Sequence, residues 1–212
     1  PAELAHDLAI KALGSPLSAF AKVKQIQSPV ELMGITFPNP VGLAAGFDKN
    51  GDAIHGLSKQ GFGFLEIGPI PPKPKNGNDK PRLFRLSDDQ AIINRMGFNN
   101  KGIDYLVKQV KVSGYQGVLG INIGKNKVTP NDKAVDDYVH CFAKAHTLCD
   151  YITVNISSPN TPDLRELQND QALTDLLTGI KAKQVECAEK DQKYTPVLVK
   201  ISPDQNESQI KF

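Results

Sequence analysis

The chain has 212 residues, 40% of them apolar, enough for a real core in one large domain or two small ones. Its 25 basic and 23 acidic residues leave a formal charge of only +2, so no strong field holds a polyanion, and nucleic acid is not expected as a partner. No run approaches the roughly 20 apolar residues that span a bilayer, and the N-terminus lacks the regions of a signal peptide, which points to a cytosolic protein or one on a membrane surface.

Residues Pro1 to Leu13 set Leu4, Ala5, Leu8, Ala9, Ala12 and Leu13 at helical spacing, and Gly14 is a stop signal. Ser15 then suits an N-cap, Pro16 a first helical position, and Leu17, Phe20, Ala21 and Val23 the apolar residues of a second short helix. Two small amphipathic helices ahead of a larger domain pack against it or lie on a membrane, and spacing leaves both open. Beyond Gln27, runs at Val41 to Ala45, Phe64 to Ile67, Val118 to Ile123, Tyr151 to Ile156 and Val197 to Ile201 have the length and content of buried parallel strands. Between them, helical periodicity covers Ala53 to Lys59, Ile103 to Val112, Val135 to Cys149 and Ala172 to Ala188.

Repeated strand and helix predict an α/β fold, either a (β/α)8 TIM barrel or an open doubly wound sheet. A barrel gathers its chemistry at the C-terminal ends of many strands, and here Asp48 and Lys49, Asn122 and Lys125, Asn155 to Asn160, and Lys200 fall at successive strand ends. GLAAGFDKNG lacks the GxGxxG of an open dinucleotide-binding sheet, and no Walker-type phosphate loop occurs. The barrel is therefore expected. Closing it takes eight strands, and about five are counted before Phe212. Either the chain is part of a longer protein, or the barrel is not its fold.

Asn155-Ile-Ser-Ser-Pro-Asn-Thr-Pro162 packs amides, hydroxyls and prolines after a buried strand, and suits a planar polar ligand as well as an ordinary turn. Asn94-Arg-Met-Gly-Phe-Asn-Asn100 reads as a helix entrance, offering backbone N–H groups to an anion or a cap from Asn99 or Asn100. Lys49 and Lys200 follow apolar runs, where a buried ammonium must meet an anion or lose its charge, while Lys125 reads as solvated. His6, His55, His140 and His146 form no ligand-spaced set, so no metal is expected. Cys141, Cys149 and Cys187 read as buried or idle thiols, and Pro69 to Arg85 as a long irregular connection.

NPVGLAAGFDKNG, GNDKPRLFRL, INRMGFNNKG, GVLGINIGKNK, ITVNISSPNTPDLR and VLVKISPD, in this order, closely resemble the class 2, quinone-dependent dihydroorotate dehydrogenases of bacteria, over about the first two-thirds of a complete member. The resemblance implies FMN-dependent oxidation of (S)-dihydroorotate to orotate in pyrimidine synthesis, with a membrane quinone as electron acceptor. It implies FMN contacts from Ala45, Gly46, Phe47, Asp48, Lys49, Asn122, Asn155 and Lys200. Substrate contacts fall to Lys49, Asn94, Arg95, Met96, Gly97, Phe98, Asn155 and Asn160, and Ser158 is the catalytic base where class 1 enzymes carry cysteine. Residues 1–27 would form a membrane-lying quinone entrance and 28–212 the FMN-binding barrel, truncated at its C-terminus. The protein is then expected as a monomer, peripheral on the cytoplasmic face of the bacterial inner membrane.

One departure matters: Gly68-Pro-Ile-Pro-Pro72 stands where the family usually reads Gly-Thr-Val-Thr-Pro, removing a hydroxyl and a backbone donor at Pro69. The alternatives are an inactive fragment of such an enzyme, expected to bind flavin poorly, or another FMN barrel that reduces a dihydropyrimidine or a uridine.

Overall fold

The computed structural model describes residues 1–20, 22–159 and 164–210. The chain opens with α1 (Ala2–Leu13) and a 3-10 turn (Pro16–Phe20), where Ser15 Oγ accepts the Leu17 N–H at 3.2 Å as a cap should. This second helix is shorter than the spacing predicts, and Val23 beyond it gives its N–H to the Lys59 carbonyl. Next comes a hairpin that the sequence reading missed, β1 (Val30–Leu32) against β2 (Ile35–Phe37). Its turn is Met33-Gly34, with φ of 56° and 75°, the left-handed pair that a two-residue hairpin loop requires.

The body of the chain follows as β3 (Gly42–Leu43), α2 (Ile54–Leu57), β4 (Phe64–Ile70), an antiparallel hairpin of β5 (Leu83–Leu86) and β6 (Ala91–Asn94), α3 (Ile103–Ser113), β7 (Val118–Ile123), α4 (Ala134–Ala145), β8 (Tyr151–Asn155), α5 (Asp170–Asp191), β9 (Val197–Lys200) and α6 (Glu207–Ile210). The expected irregular connection from Pro69 to Arg85 is thus corrected at both ends, since Pro69 belongs to β4 and Leu83 to Arg85 belong to β5.

Five strands form one parallel sheet in the order β3-β4-β7-β8-β9. Every new strand joins on the same side, so the order never reverses and there is no switch point of the doubly wound kind. This is five-eighths of the strand complement of a (β/α)8 wall, with β3 and β9 at its edges among the described residues.

Successive side chains of a strand point to opposite faces, which divides the sheet into two surfaces. The helix-facing surface is apolar: Leu65, Ile67, Leu119, Ile121, Ile152 and Val154 join the core with Ile103, Leu106 and Val110 of α3. The burial of Tyr138, Cys141, Phe142 and Ala145 at helical spacing gives α4 its inward face. Gly114 ends α3 in the left-handed conformation, the usual device for turning from helix to strand. The barrel-facing surface is polar, and it carries the chemistry.

Candidate active site

A cavity of about 600 Å³ opens at the C-terminal ends of the sheet strands. Its floor comes from Leu43 at the end of β3 and Ala44, Ala45 and Gly46 after it, Pro69 in β4, Asn155 in β8 and Lys200 in β9. One wall is Asn94 at the end of β6 with Met96 and Phe98 beyond it, and another is Ser157, Ser158 and Pro159 beyond β8. His6, Phe47, Lys49 and Leu83 complete it.

The loop after β3 is tied to β4, because Gly46 donates to the Gly68 carbonyl at 2.7 Å and Gly68 donates to the Asp48 carbonyl at 3.2 Å. Gly46 has φ of 110°, and a Cβ built on it meets nothing within 4 Å, so bare backbone faces open space. Asp48 departs from its expected place. Its carboxylate is 1% exposed, accepts the Asp52 and Ala53 N–H groups at 2.9 and 2.8 Å, and so ties the entrance of α2 rather than facing the cavity. Burial pushes its pKa up while those N–H bonds oppose the shift.

Lys49 does reach the cavity, and its Nζ donates to Asn99 Oδ1 at 2.6 Å. Burial, followed by the charge of Arg82, lowers its pKa to about 8 against the pull of Glu3 and Asp7. The partner is a neutral amide, so the ammonium's charge is only partly compensated. Lys125 and Lys200 exchange the environments that the sequence suggests. Lys125 is 3% exposed and gives its ammonium to the Thr129 and Asn126 carbonyls, because the turn after β7 folds back over it. Lys200 is exposed, because it ends edge strand β9 and faces the open interior.

Asn94, Met96 and Phe98 line the cavity, whereas Arg95 and Gly97 do not. The Arg95 guanidinium turns back to the Pro81 carbonyl at 2.9 and 3.1 Å and lies over the Phe84 ring, 5.9 Å from its centre. Gly97 makes the turn that brings Phe98 inward, with φ of 70° and room for a Cβ removed by Asn78 Oδ1 at 2.5 Å. The segment is no helix cap. The N-cap of α3 is Gly102, while Asn100 accepts the Gly102 N–H at 2.8 Å and donates its own N–H to Lys75.

Asn122 and Asn155 show complementary hydrogen bonding. Asn155 is 4% exposed, and its Oδ1 accepts both the N–H and the hydroxyl of Ser157, which leaves its Nδ2 as the donor on offer. Asn122 has no exposed surface; its Nδ2 donates to Glu66 Oε1 at 2.8 Å, and its Oδ1 is buried without a partner among the described residues. Asn160 lies outside the described residues.

His6, Glu66, Leu83 and Pro69 were not singled out as site residues in the sequence. Pro69 adds an apolar ring and no N–H to the floor. His6 reaches the cavity because α1 docks on the strand-end face: its Nε2 lies 2.7 Å from the Phe47 carbonyl, and its ring meets Phe47 edge-on at 5.3 Å. Glu3 anchors the same helix to Arg82 at 2.8 Å, a guanidinium 8% exposed. A legible signal existed for Glu66 alone, a carboxylate inside an otherwise apolar strand.

Bare backbone at Gly46, a partly compensated Lys49 and the Asn155 amide nitrogen suit a planar anionic ligand beside a polar ring system, while Asn122 is enclosed and does not line the cavity. Among the described residues no cluster of three or more His, Cys, Asp or Glu side chains is placed to hold a metal. Cys141, Cys149 and Cys187 are buried and unpaired by disulfides, and burial raises their thiol pKa values.

Fold and site together define part of a (β/α) barrel with a polar cavity at its strand ends. The chain belongs to the dihydroorotate dehydrogenase family: the family model described as Dihydroorotate dehydrogenase matches residues 28–211. It is 56% identical to the Dihydroorotate dehydrogenase (quinone) of Saccharophagus degradans, covering 99% of this chain and 63% of that one. It is 53% identical to the protein of the same name from Idiomarina loihiensis, covering 99% and 64%. The crystal structure of DHODH in complex with ferulenol from Eimeria tenella superposes with a TM-score of 0.87 at 38% identity, over 98% of this chain and 61% of that one. The chain thus spans just under two thirds of the length of these relatives.

Proposed function

We propose that this chain forms the flavin-facing, substrate-binding part of an enzyme that oxidises (S)-dihydroorotate to orotate in pyrimidine synthesis, with FMN as cofactor and a membrane quinone as final acceptor. The observation that carries the reading is convergence: Lys49, Asn94, Met96, Phe98, Asn155, Ser158 and Lys200 come from separate segments and line one cavity. Ala45, Gly46, Asn122, Asn155 and Lys200 hold FMN, with Pro69 contributing contact but no hydrogen bond. Lys49, Asn94 and Asn155 hold the substrate against Met96 and Phe98.

FMN, when bound, supplies the acceptor for the hydride that leaves C6 of dihydroorotate. The chain's own task is the other half of the oxidation, in which Ser158 Oγ takes the C5 proton as its own hydroxyl proton passes on to solvent. A serine hydroxyl is a weak base, so its geometry and the exclusion of water have to do the work. Ser158 lines the cavity with its neighbour Pro159 and with Met96 and Phe98, apolar groups that limit water. Lys49 meets the substrate carboxylate; a pKa near 8 keeps it mostly protonated at neutral pH and ready for that anion.

Residues 1–27 act as the quinone entrance on the membrane surface. Leu4, Leu8, Leu17, Phe20, Val23 and Ile26 are exposed there, while His6 of the same segment lines the cavity, so an apolar face adjoins the site. No helix among the described residues is long and apolar enough to cross a membrane. The reading takes the protein as a monomer, peripheral on the cytoplasmic face and attached through this exposed apolar segment.

The edges β3 and β9, each paired on one side only among the described residues, favour a second reading, a fragment without activity. Intact mass and a visible spectrum of one purified sample separate the two. A mass well above 23.1 kDa with a flavin band is the expected result. A mass of 23.1 kDa without flavin overturns activity for this polypeptide.

A further inference from the structure

The barrel-facing layer beneath the cavity is organised around one carboxylate. Strand register sets Glu66 of β4, Gly120 of β7 and Tyr151 of β8 in a single row, and Asn122 opposite Thr153 in the row above. A Cβ on Gly120 would stand 2.2 Å from the Tyr151 ring, so only glycine lets that ring lie across β7 toward Glu66. Tyr151 Oη and Thr153 Oγ1 both donate to Glu66 Oε2, at 3.2 and 3.1 Å. Asn122 Nδ2 donates to Oε1 at 2.8 Å. Three donors from two neighbouring strands thus converge on one acceptor.

A carboxylate accepts and does not donate, whereas an amide presents nitrogen on one side and oxygen on the other. Glu66 can therefore hold Asn122 in only one of its two amide orientations, with Nδ2 inward and Oδ1 turned away. That oxygen is enclosed and meets no donor among the described residues. An enclosed carbonyl without a partner is unfavourable unless something bound supplies an N–H or O–H. Gly68 of β4 passes close to Asn122: a Cβ there would lie 2.4 Å from the Asn122 backbone oxygen and 3.2 Å from its Cβ, so only glycine leaves this space beside the amide open.

Resting on the flavin reading above, we propose that Glu66 is a positioning residue: it fixes the Asn122 amide so that Oδ1 is presented as an acceptor to an N–H or O–H of the bound cofactor. Tyr151 and Thr153 hold the Glu66 carboxylate in place, and Gly120 makes the room. Glu66 itself touches neither substrate nor cofactor.

The test is titration of the FMN-stripped native protein with FMN, read by fluorescence and visible spectrum, in four forms: unaltered, Glu66→Gln, Asn122→Ala and the double variant. Glutamine keeps the volume but can donate as well as accept, so the Asn122 orientation is no longer dictated. Glu66→Gln is expected to weaken FMN about three- to tenfold and shift the flavin bands, with circular dichroism unchanged. In the Asn122→Ala background the same substitution is expected to change affinity less than about twofold. An equal loss in both backgrounds, or Glu66→Gln with unaltered affinity and spectrum, overturns the proposal. Failure of the unaltered protein to take up FMN overturns the flavin reading instead. If Glu66→Gln does not fold, Thr153→Val, which withdraws one donor from the carboxylate, has to reproduce the band shift or the proposal falls.

Discussion

The two faces of the five-stranded sheet lie one residue apart along every strand, and they do opposite work. Facing the helices, Leu65, Ile67, Ile121, Ile152 and Val154 have no exposed surface and supply apolar burial. Facing the barrel interior, Glu66, Asn122, Tyr151 and Thr153 exchange hydrogen bonds, and Asn155 and Lys200 continue that face into the cavity. Alternation thus lets the same strands hold the fold on one side and arrange polar groups on the other, with the chemistry at the strand ends.

If this division holds, substitutions on the two faces separate stability from activity. The largest effect belongs to Ser158→Ala, expected to lower the rate of dihydroorotate oxidation by about 10²–10⁴-fold while thermal unfolding and bound flavin stay as they were. A parallel loss of melting temperature in calorimetry would show that the serine serves the fold. Ile152→Ala, on the other face, should cost about 2–5 kcal/mol in denaturant unfolding, with flavin-site geometry retained in whatever stays folded. Gly120→Ala lies between the two classes. Its methyl group would force the Tyr151 ring away from Glu66, costing about 1–3 kcal/mol and disturbing the polar layer together with the packing.

Smaller effects come from titration. Lys49 has its pKa lowered to about 8 by burial, so its protonated form, which attracts an anion, is lost as pH rises through that value. Orotate affinity should therefore fall about tenfold between pH 7 and 9, and calorimetric titration of Lys49→Met should show a weaker, pH-independent site. The same burial penalises the folded state while Lys49 is charged, so this group's contribution to stability improves as pH rises from about 8 to its unfolded value near 10.5. Glu3 runs the other way. Arg82 first, and Lys80 after it, hold its pKa below the ordinary value of 4.5 against burial. The stability it gives α1 is complete above that value and is lost as pH falls through the lowered one. Amide exchange in α1 should accelerate in acid before the sheet is affected, and Glu3→Gln should remove that difference.

Much of this was legible because strands buried on both faces read as continuous apolar runs. Val118 to Ile123 matches its strand end for end, and Tyr151, Phe64 and Val197 each begin one as predicted. The hairpin of β5 and β6 was not legible: Phe84, Leu86, Ile92 and Ile93 are exposed, so no buried face imposed a pattern, and the prolines before it suggested a loop. Met33-Gly34 did carry a hairpin signal, but in strands of only three residues each. Among the site residues, motif position brought Asn94, Met96, Phe98, Asn155 and Ser158 to the cavity, yet did not reveal that Arg95 turns back to Pro81 or that Asp48 serves the backbone.

By itself the sequence determined the parallel α/β architecture and the strand ends that carry polar residues, because both follow from local periodicity and from chemistry a few residues apart. Only the tertiary structure decided which amide shows its oxygen and which its nitrogen, which lysine is enclosed, and that His6 reaches the site from a separate helix. Those outcomes depend on cross-strand register and on the docking of α1, contacts between residues tens of positions apart that no local pattern encodes.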